Sequence, residues 1–271
     1  MRVNGLAAPV CLREYPCDSR EEALSDQATT QQLPPPLFYK KPELLTAAAH
    51  GQLALSDKAN YAFAAKAISI PLNVVEVPVA RSYPIVFANV APYIPLAVVG
   101  VRKDENLFVD AKGAWDPAAY IPAYVRRHPF VLAESGVKDQ FALAIDAEST
   151  RLGKKGAPLF KDGKPTDLVH QASNFCVAFK GEADTTRSVM ETIHAMGLLM
   201  PNNATITLKP GGERIGLTDF FVTDEKKLGE LSDEDFLKLR RASALGILYA
   251  QMASRLAWGD LLRRMEARTK A

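Results

Sequence analysis

The chain has 271 residues, of which 48% are hydrophobic and 24% are charged, and its formal net charge is +2. These fractions are typical of a globular protein that can bury a sizeable core without disulfides or metals. So small a net charge argues against nucleic acid as the main partner, and no apolar run approaches the roughly 18 residues of a membrane span.

The three cysteines, Cys11, Cys17 and Cys176, show no spacing that is typical of a metal site. A sparse and odd cysteine count fits a reducing compartment. The apolar stretch at 5–12 is short and is interrupted by Pro9. We therefore predict no signal peptide and a cytoplasmic location.

The first 36 residues have the composition of a flexible extension, because polar residues dominate 18–32 without any sustained period. The remainder, 37–271, is predicted to form a single domain. It begins with an aromatic and basic segment at 37–42, here called the arm, which follows three consecutive prolines. The arm has two interpretations: a docking strip for a partner or an anion, or an extended segment that packs its aromatic side chains on the core.

Two similar junctions organise the middle of the chain. Tyr83-Pro84 and His128-Pro129 each place a ring residue and a proline before a short apolar run that contains alanine at its end. Since proline disfavours helix at the residue before it, each junction is predicted to switch from helix to strand. A looser third junction occurs at Pro201, so we interpret the pattern as the way in which the chain repeatedly adds a hairpin to one sheet.

The predicted elements are mostly hairpins separated by helices. Apolar and β-branched runs predict strands at 85–88, 95–101, 106–110, 130–134, 141–146, 204–208 and 215–222, with a tight turn at 103–105. Helices are predicted at 72–82, at 116–127 with a later start or a kink at Pro122, at 166–199 with a break near Gly181, and from 232 to about 268 with a division at Gly259. The predicted fold class is α+β: a mostly antiparallel sheet of about six or seven strands built from hairpins, with inserted helices and a long C-terminal helix.

Several segments of the chain match one protein family in residue type, order and spacing. They are Leu37-Phe38-Tyr39-Lys40-Lys41-Pro42, Tyr83-Pro84-Ile85-Val86-Phe87, Glu105-Asn106-Leu107-Phe108-Val109-Asp110, Tyr120-Ile121-Pro122-Ala123-Tyr124-Val125-Arg126-Arg127 with the run after Pro129, and Leu217-Thr218-Asp219-Phe220-Phe221-Val222. On these residues the chain resembles the SapC family over roughly 37–262. The family takes its name from a bacterial surface-layer gene, and other members are encoded near outer-membrane uptake receptors and flavin-dependent halogenases. The resemblance implies an accessory role in such biology and supplies no catalytic residues.

Motifs that carry chemistry are missing from the sequence. The four histidines form no ligand pair close in sequence, and neither a nucleophile elbow nor a phosphate-loop lysine is present. We therefore predict no metal and no cofactor. The carboxylates at predicted strand ends, Asp110, Asp146 and Glu148, could converge to bind a metal or to act as acid and base. Asp110 precedes a Lys-Gly turn and has the simpler interpretation of a turn residue.

A ligand site is predicted around the second junction. It comprises Tyr120, Tyr124, Arg126, Arg127, His128 and Asp110. Tyr120, Tyr124 and Arg127 fall three or four residues apart, on one face of the predicted helix. That face would offer hydrogen-bond donors to a small acidic or carbohydrate-like ligand. Alternatively, the tyrosines pack in the core and the arginines pair with acids at the surface.

Three functions are compatible with the sequence, and we predict the first of them. The first is a non-catalytic accessory protein that acts through a protein partner. The second is an enzyme for a sugar- or peptide-like substrate, whose arginine, tyrosine, histidine and aspartate side chains converge only in space. The third is a small-ligand binding module that uses the same face. The second predicts a deep pocket lined by these residues, and the third predicts a ligand that raises the stability of the folded state.

Overall fold

The computed structural model describes residues 10–11, 35–135, 140–207 and 214–270. Its strands are β1 (Val10–Cys11), β2 (Pro42–Leu44), β3 (Ala54–Leu55), β4 (Ser69–Pro71), β5 (Ile85–Ala88), β6 (Pro95–Val98), β7 (Phe130–Glu134), β8 (Phe141–Asp146), β9 (Leu152–Gly153), β10 (Ala157–Pro158), β11 (Phe160–Lys161), β12 (Lys164–Pro165), β13 (Leu199–Thr207) and β14 (Arg214–Thr223). Its α-helices are α1 (Ala47–His50), α2 (Ala123–Arg126), α3 (Asp167–Ala195), α4 (Glu225–Gly229), α5 (Asp233–Arg241), α6 (Leu245–Ser254) and α7 (Ala257–Lys270).

The predicted α+β class is confirmed. The predicted extension, 1–36, lies outside the described residues apart from 10–11 and 35–36. The segments that join the predicted strand 130–134 to 141–146 and 204–208 to 215–222 fall at least partly outside them as well. Within the described ranges, no helix combines the length and the apolar character that spanning a membrane requires.

The main sheet is antiparallel except where β1 pairs with β14. β4, β6, β5 and β14 lie side by side in that order, and β13 pairs with β14 along most of its length. Every residue of β5 and β6 is buried, which explains their continuous apolar sequence. Helix α6 contacts this sheet through Gln251, whose Nε2 donates to the Ile85 carbonyl at 3.2 Å and whose Oε1 accepts the Thr223 amide at 3.0 Å.

A smaller antiparallel sheet, in the order β2–β8–β7, positions the site described below. Phe130 of β7 pairs with Ile145 of β8, and Pro42 of β2 pairs with Asp146 at the end of β8. The predicted strands at 85–88, 130–134 and 141–146 have the observed bounds. The hairpin of β13 and β14 is confirmed and is longer than predicted.

The helices differ from the prediction in where they begin and end. Helix α3 runs through Gly181 without a break. A helical glycine costs only about 1 kcal/mol relative to alanine, which a helix of 29 residues tolerates. The C-terminal segment forms three successive helices, α5, α6 and α7, and Gly259 lies inside α7. The break between α5 and α6 contains Ser243, whose φ of 57° cannot continue a right-handed helix.

The predicted strand at 106–110 is wrong, whereas a turn forms at 103–104, within the predicted turn at 103–105. Only a single bridge, Val109 to Trp115, forms there. The backbone groups of 106–110 pair with scattered partners instead: the Leu107 amide donates to the Val99 carbonyl, and Arg268 donates to the carbonyls of Asn106 and Val109, at 2.7 and 2.5 Å. The Asn106 amide group itself donates to the Ala64 carbonyl and accepts from the Phe108 amide. Long-range partners of this kind leave no trace in local periodicity.

Two predicted helices shrink to single turns. The segment 116–127 is helical only in α2, with Pro122 as its N-cap, so the later start is correct. Proline disfavours helical geometry at the residue before it, which keeps Ile121 and the preceding residues out of the helix. The segment 72–82 contains only the 3₁₀ helix Val74–Glu76.

Candidate functional site

The arm lies against the smaller sheet. The Tyr39 side chain is buried, and its hydroxyl donates to the Phe130 carbonyl at 2.5 Å. The ring of Phe38 meets Phe63 and Tyr124 edge-on, with centroid distances of 5.5 and 5.9 Å. Phe38 holds a φ of 77°, which is uncommon for a bulky residue. The aromatic side chains of the arm thus pack on the core, in agreement with the second interpretation of this segment.

Asp146, the last residue of β8, fastens the arm to the sheet. Its buried carboxylate accepts two hydrogen bonds at Oδ1, from the amides of Lys41 at 2.8 Å and Lys40 at 3.2 Å. Its Oδ2 lies 3.4 Å from Nε2 of His128. Since 2.8 Å is a good N–H···O distance and 3.4 Å lies outside the usual range, the carboxylate binds the arm more tightly than it binds the imidazole.

His128 is 2% exposed, and its ring stacks on Phe63 with centroids 3.9 Å apart. Burial lowers the pKa of His128 to about 4, against the opposing effect of the Asp146 carboxylate. The imidazole is therefore neutral at neutral pH. We assign its proton to Nε2, which faces Asp146, so that Nδ1 is an acceptor. Nδ1 is buried and has no hydrogen-bond partner among the described residues.

His128 and Asp146 line a cleft of about 470 Å³ between the arm and the segment 62–67; it is called the arm cleft below. Ligand pockets in proteins have volumes of roughly 300–1,000 Å³, so the arm cleft has room for a small ligand. Phe38 and Phe63 contribute aromatic surface to it. Its other charged lining residues are Lys40, Lys66, Asp104 and Glu148.

Arg127 and Tyr124, two residues of the predicted site, lie apart from this cleft. The Arg127 guanidinium carbon is 4.1 Å from the ring centroid of Tyr124, 4.4 Å from that of Phe179 and 5.5 Å from that of Tyr39. Cation–π contacts of this kind contribute about 0.5–2 kcal/mol each, more when water is excluded. The three aromatic rings thus pack around the guanidinium group of Arg127.

Tyr120 and Arg126 belong to a second groove. The Tyr120 hydroxyl donates to Oε1 of Glu76 at 2.8 Å and accepts from Nη2 of Arg126 at 3.0 Å. Burial raises the pKa of Tyr120 to about 12, and the neighbouring Glu76 carboxylate adds to the shift. The phenol therefore stays protonated and bridges the carboxylate to the guanidinium.

Asp110 forms a turn at the surface. Its Oδ1 accepts the amides of Lys112 and Ala114, both at 2.8 Å, as expected for a turn aspartate. The six predicted residues consequently occupy four places: His128 lines the arm cleft, Tyr124 and Arg127 lie in an aromatic cluster, Tyr120 and Arg126 line the second groove, and Asp110 lies in a turn. Among the described residues, no group of three or more His, Cys, Asp or Glu side chains is placed to hold a metal ion.

Sequence reasoning missed Tyr39, Phe63 and Glu76 as site residues. Glu76 carries the clearest signal, because Asn73 precedes it by three residues, which is the spacing of a capping box. That capping box forms in the structure. Tyr39 and Phe63 carry no such signal, since each lies more than 60 residues from His128 along the chain and meets it only in the folded state.

Comparison with known proteins agrees with the family resemblance that the sequence shows over roughly 37–262. A model of the SapC protein family matches residues 45–261. The chain matches no curated protein and no solved structure. The matched range contains β3 to β14, α1 to α6, and the residues of the arm cleft and of the second groove except those that the arm contributes. Because the match extends over most of the chain, this protein is a member of the SapC family.

Proposed function

We propose that this protein is a non-catalytic binding protein that takes a small hydroxylated, carbohydrate-like ligand in the arm cleft. As the family resemblance implies, it would serve as an accessory protein in bacterial envelope, surface-layer or nutrient-uptake biology, together with a protein partner. The domain that carries this function is proposed to be the single unit 37–271, with a cytoplasmic location.

One observation carries the proposal: the unpaired Nδ1 of His128. Leaving a buried acceptor unsatisfied costs about 1–3 kcal/mol. Because Nδ1 is itself buried, a ligand hydroxyl would reach it only after the cleft wall shifts, and it would then recover this free energy, whereas a carboxylate would have no proton to offer. The atom therefore favours a ligand that carries O–H or N–H groups.

The surroundings of His128 support a neutral polar ligand. The cleft combines the aromatic side chains of Phe38 and Phe63 with charged residues of both signs. Apolar walls with a few placed polar groups are typical of small-molecule sites. Charges of both signs at the rim offer acceptors and donors to hydroxyl groups without favouring a strongly charged ligand.

Binding is favoured over catalysis because the Asp146 carboxylate already accepts hydrogen bonds from the arm. In an acid–base pair the carboxylate orients the imidazole through a short hydrogen bond. Here the better hydrogen bonds of Asp146 go to Lys40 and Lys41 of the arm, and the imidazole is clamped against Phe63. Both groups thus serve to build the wall of the cleft.

An enzyme is the second candidate, because a neutral histidine with a free ring nitrogen is also a general base. The two candidates differ in what happens to the ligand. Prolonged incubation of the protein with a bound saccharide, followed by mass spectrometry, should return the saccharide unchanged. A hydrolysed or rearranged product in molar excess over the protein would support an enzyme instead.

The binding test is a thermal-shift screen against mono- and disaccharides and linear polyols, followed by calorimetry on any hit. We expect binding to weaken at least about tenfold, equivalent to 1.4 kcal/mol, in His128→Gln. Ala62→Trp should also abolish binding, because Ala62 is an exposed residue at the cleft wall and the larger ring would fill the cleft.

His170→Gln is the matched control, since His170 is exposed on α3 and should leave affinity unchanged. The proposal is contradicted when no member of the panel raises the melting temperature, or when a hit binds Ala62→Trp as tightly as it binds the unchanged protein.

A further inference from the structure

A second groove, of about 220 Å³, lies between the turn at 73–76, the start of α2 and one face of α3. Its α3 wall consists of Phe175, Ala178, Phe179 and Glu182, which are three or four residues apart and so share a helix face. Val75, 56% exposed, extends the apolar surface on the opposite side. The groove shares no lining residue with the arm cleft.

Arg126 presents a fixed guanidinium to this groove. Its Nε donates to the Ile121 carbonyl and its Nη2 to the Tyr120 hydroxyl, both at 3.0 Å. The guanidinium carbon lies 5.6 Å from the ring centroid of Tyr120 and 5.3 Å from that of Phe175. Two of the five N–H donors of an arginine are thereby used to orient the group. The remaining donors of this exposed side chain can bind a carboxylate.

Glu76 fixes the Tyr120 hydroxyl that in turn orients the Arg126 guanidinium. This buried carboxylate accepts the Tyr120 hydroxyl at 2.8 Å, the Ala123 amide at 2.6 Å and the Asn73 amide at 2.9 Å. Three donors of this kind compensate the cost of burying a carboxylate. Because the Tyr120 hydroxyl donates its hydrogen bond to Glu76, a lone pair of its oxygen is free to accept a hydrogen bond from Arg126.

The charges of the groove select the class of ligand. Glu76 and Glu182 line the same groove as Arg126, so two carboxylates oppose the binding of a simple anion there. A molecule that also carries an ammonium group can place it near Glu182, which is half-buried on α3. The apolar walls then cover the aliphatic body of the ligand.

We propose that this groove binds a small zwitterion with an aliphatic body, whose carboxylate contacts Arg126 and whose ammonium contacts Glu182. The class includes apolar α-amino acids and ω-amino acids, which differ in the distance between their charges. The proposal is independent of the saccharide function of the arm cleft, and a ligand would bind here with the arm cleft either free or filled.

The test is a calorimetric titration of the full chain with leucine and with 6-aminohexanoic acid, compared with hexanoic acid and hexylamine. We expect one of the two zwitterions to bind at least about tenfold more tightly than both singly charged probes. Tighter binding of leucine would show that the groove takes a ligand whose two charges are adjacent. Tighter binding of 6-aminohexanoic acid would show that it takes a ligand whose charges are separated.

Variants locate the two contacts. Arg126→Gln should weaken zwitterion binding about tenfold or more, and Glu182→Gln should remove the preference for the zwitterion over hexanoic acid. Ala178→Trp, an exposed substitution on the groove wall, should abolish binding without touching either charge. Arg187→Gln, elsewhere on the exposed side of α3, is the control and should change nothing, as should the cleft variant Ala62→Trp.

The proposal is overturned when neither zwitterion binds, when hexanoic acid or hexylamine binds as tightly as the zwitterions, or when Ala178→Trp binds normally. A zwitterion that binds normally to Ala178→Trp but not to Ala62→Trp would place the ligand in the arm cleft and refute this assignment. Failure of the saccharide screen alone would leave the expected results for this groove unchanged.

Discussion

Oδ1 of Asp146 accepts the backbone amide of Lys41 at 2.8 Å, which joins the end of β8 to the arm across 105 residues of sequence. The contact determines where the arm lies, and the arm in turn forms one wall of the cleft that contains His128. A fold element and a binding feature thus depend on the same carboxylate.

Asp146→Asn should release the arm. The neutral amide oxygen is a weaker acceptor than the carboxylate, so we expect the free energy of unfolding to fall by about 1–2 kcal/mol. Hydrogen exchange at the Lys40 and Lys41 amides should accelerate. Asp110→Asn is the matched control, because Asp110 also accepts two backbone amides with one oxygen but is exposed; its loss should be smaller. Equal losses in the two variants would contradict the anchoring role.

The buried His128 predicts a pH dependence of stability. Its pKa falls from the usual 6.5 to about 4 in the folded protein, so between these values the unfolded chain binds a proton that the folded chain does not. The free energy of unfolding should therefore decrease as pH falls from 6.5 to 4, by on the order of 3 kcal/mol. Urea unfolding across this range should show the decrease in the unchanged protein and lack it in His128→Gln. A parallel pH profile for the two proteins would mean that His128 titrates normally.

The aromatic contacts of Arg127 predict that its planar shape matters as well as its charge. Arg127→Lys keeps the charge but loses the stacking on Tyr124 and Phe179. We expect a loss of about 1–2 kcal/mol in the free energy of unfolding, measured by urea denaturation. Arg187→Lys, on the exposed side of α3, should be neutral. A neutral Arg127→Lys would show that the rings contribute nothing beyond the charge.

Gly181 offers a stabilising substitution. It lies inside α3, and a Cβ at this position would meet open space. Gly181→Ala should raise the free energy of unfolding by about 0.5–1 kcal/mol. Gly113→Ala is the opposite case, because Gly113 has a φ of 80° and faces the Asn60 side chain; it should be destabilised. Thermal unfolding of the two variants decides both expectations, and a Gly181→Ala protein that melts earlier would argue against the continuous helix.

The sequence predicts an element well when its signal is local. The runs at 130–134 and 141–146 are apolar and bounded by a proline or by turn residues, and both strands have the predicted bounds. The segment 106–110 has the same apolar character, yet two of its carbonyls, those of Asn106 and Val109, accept hydrogen bonds from Arg268 near the end of α7. A contact over about 160 residues cannot be read from periodicity.

The residues of the predicted site do not share one helix face, for a related reason. Tyr120, Tyr124 and Arg127 share a face only if helix extends over all of them, whereas α2 begins at Ala123. Tyr120 therefore precedes the helix and its hydroxyl reaches Glu76, while Tyr124 and Arg127 meet Phe179 of α3. Equal spacing along the sequence thus grouped Tyr120, which lines the second groove, with Tyr124 and Arg127, which lie in the aromatic cluster.

The central claim is that His128 accepts a hydrogen bond from a hydroxylated ligand at Nδ1. Long-range ¹H–¹⁵N NMR of the imidazole, with and without a saccharide that binds, tests it directly. The account predicts a neutral ring protonated at Nε2 in the free protein, and a shift of the Nδ1 resonance toward that of a hydrogen-bonded nitrogen when the ligand is added. A ring that carries its proton on Nδ1, or an Nδ1 resonance that stays unchanged at saturation, would contradict the claim.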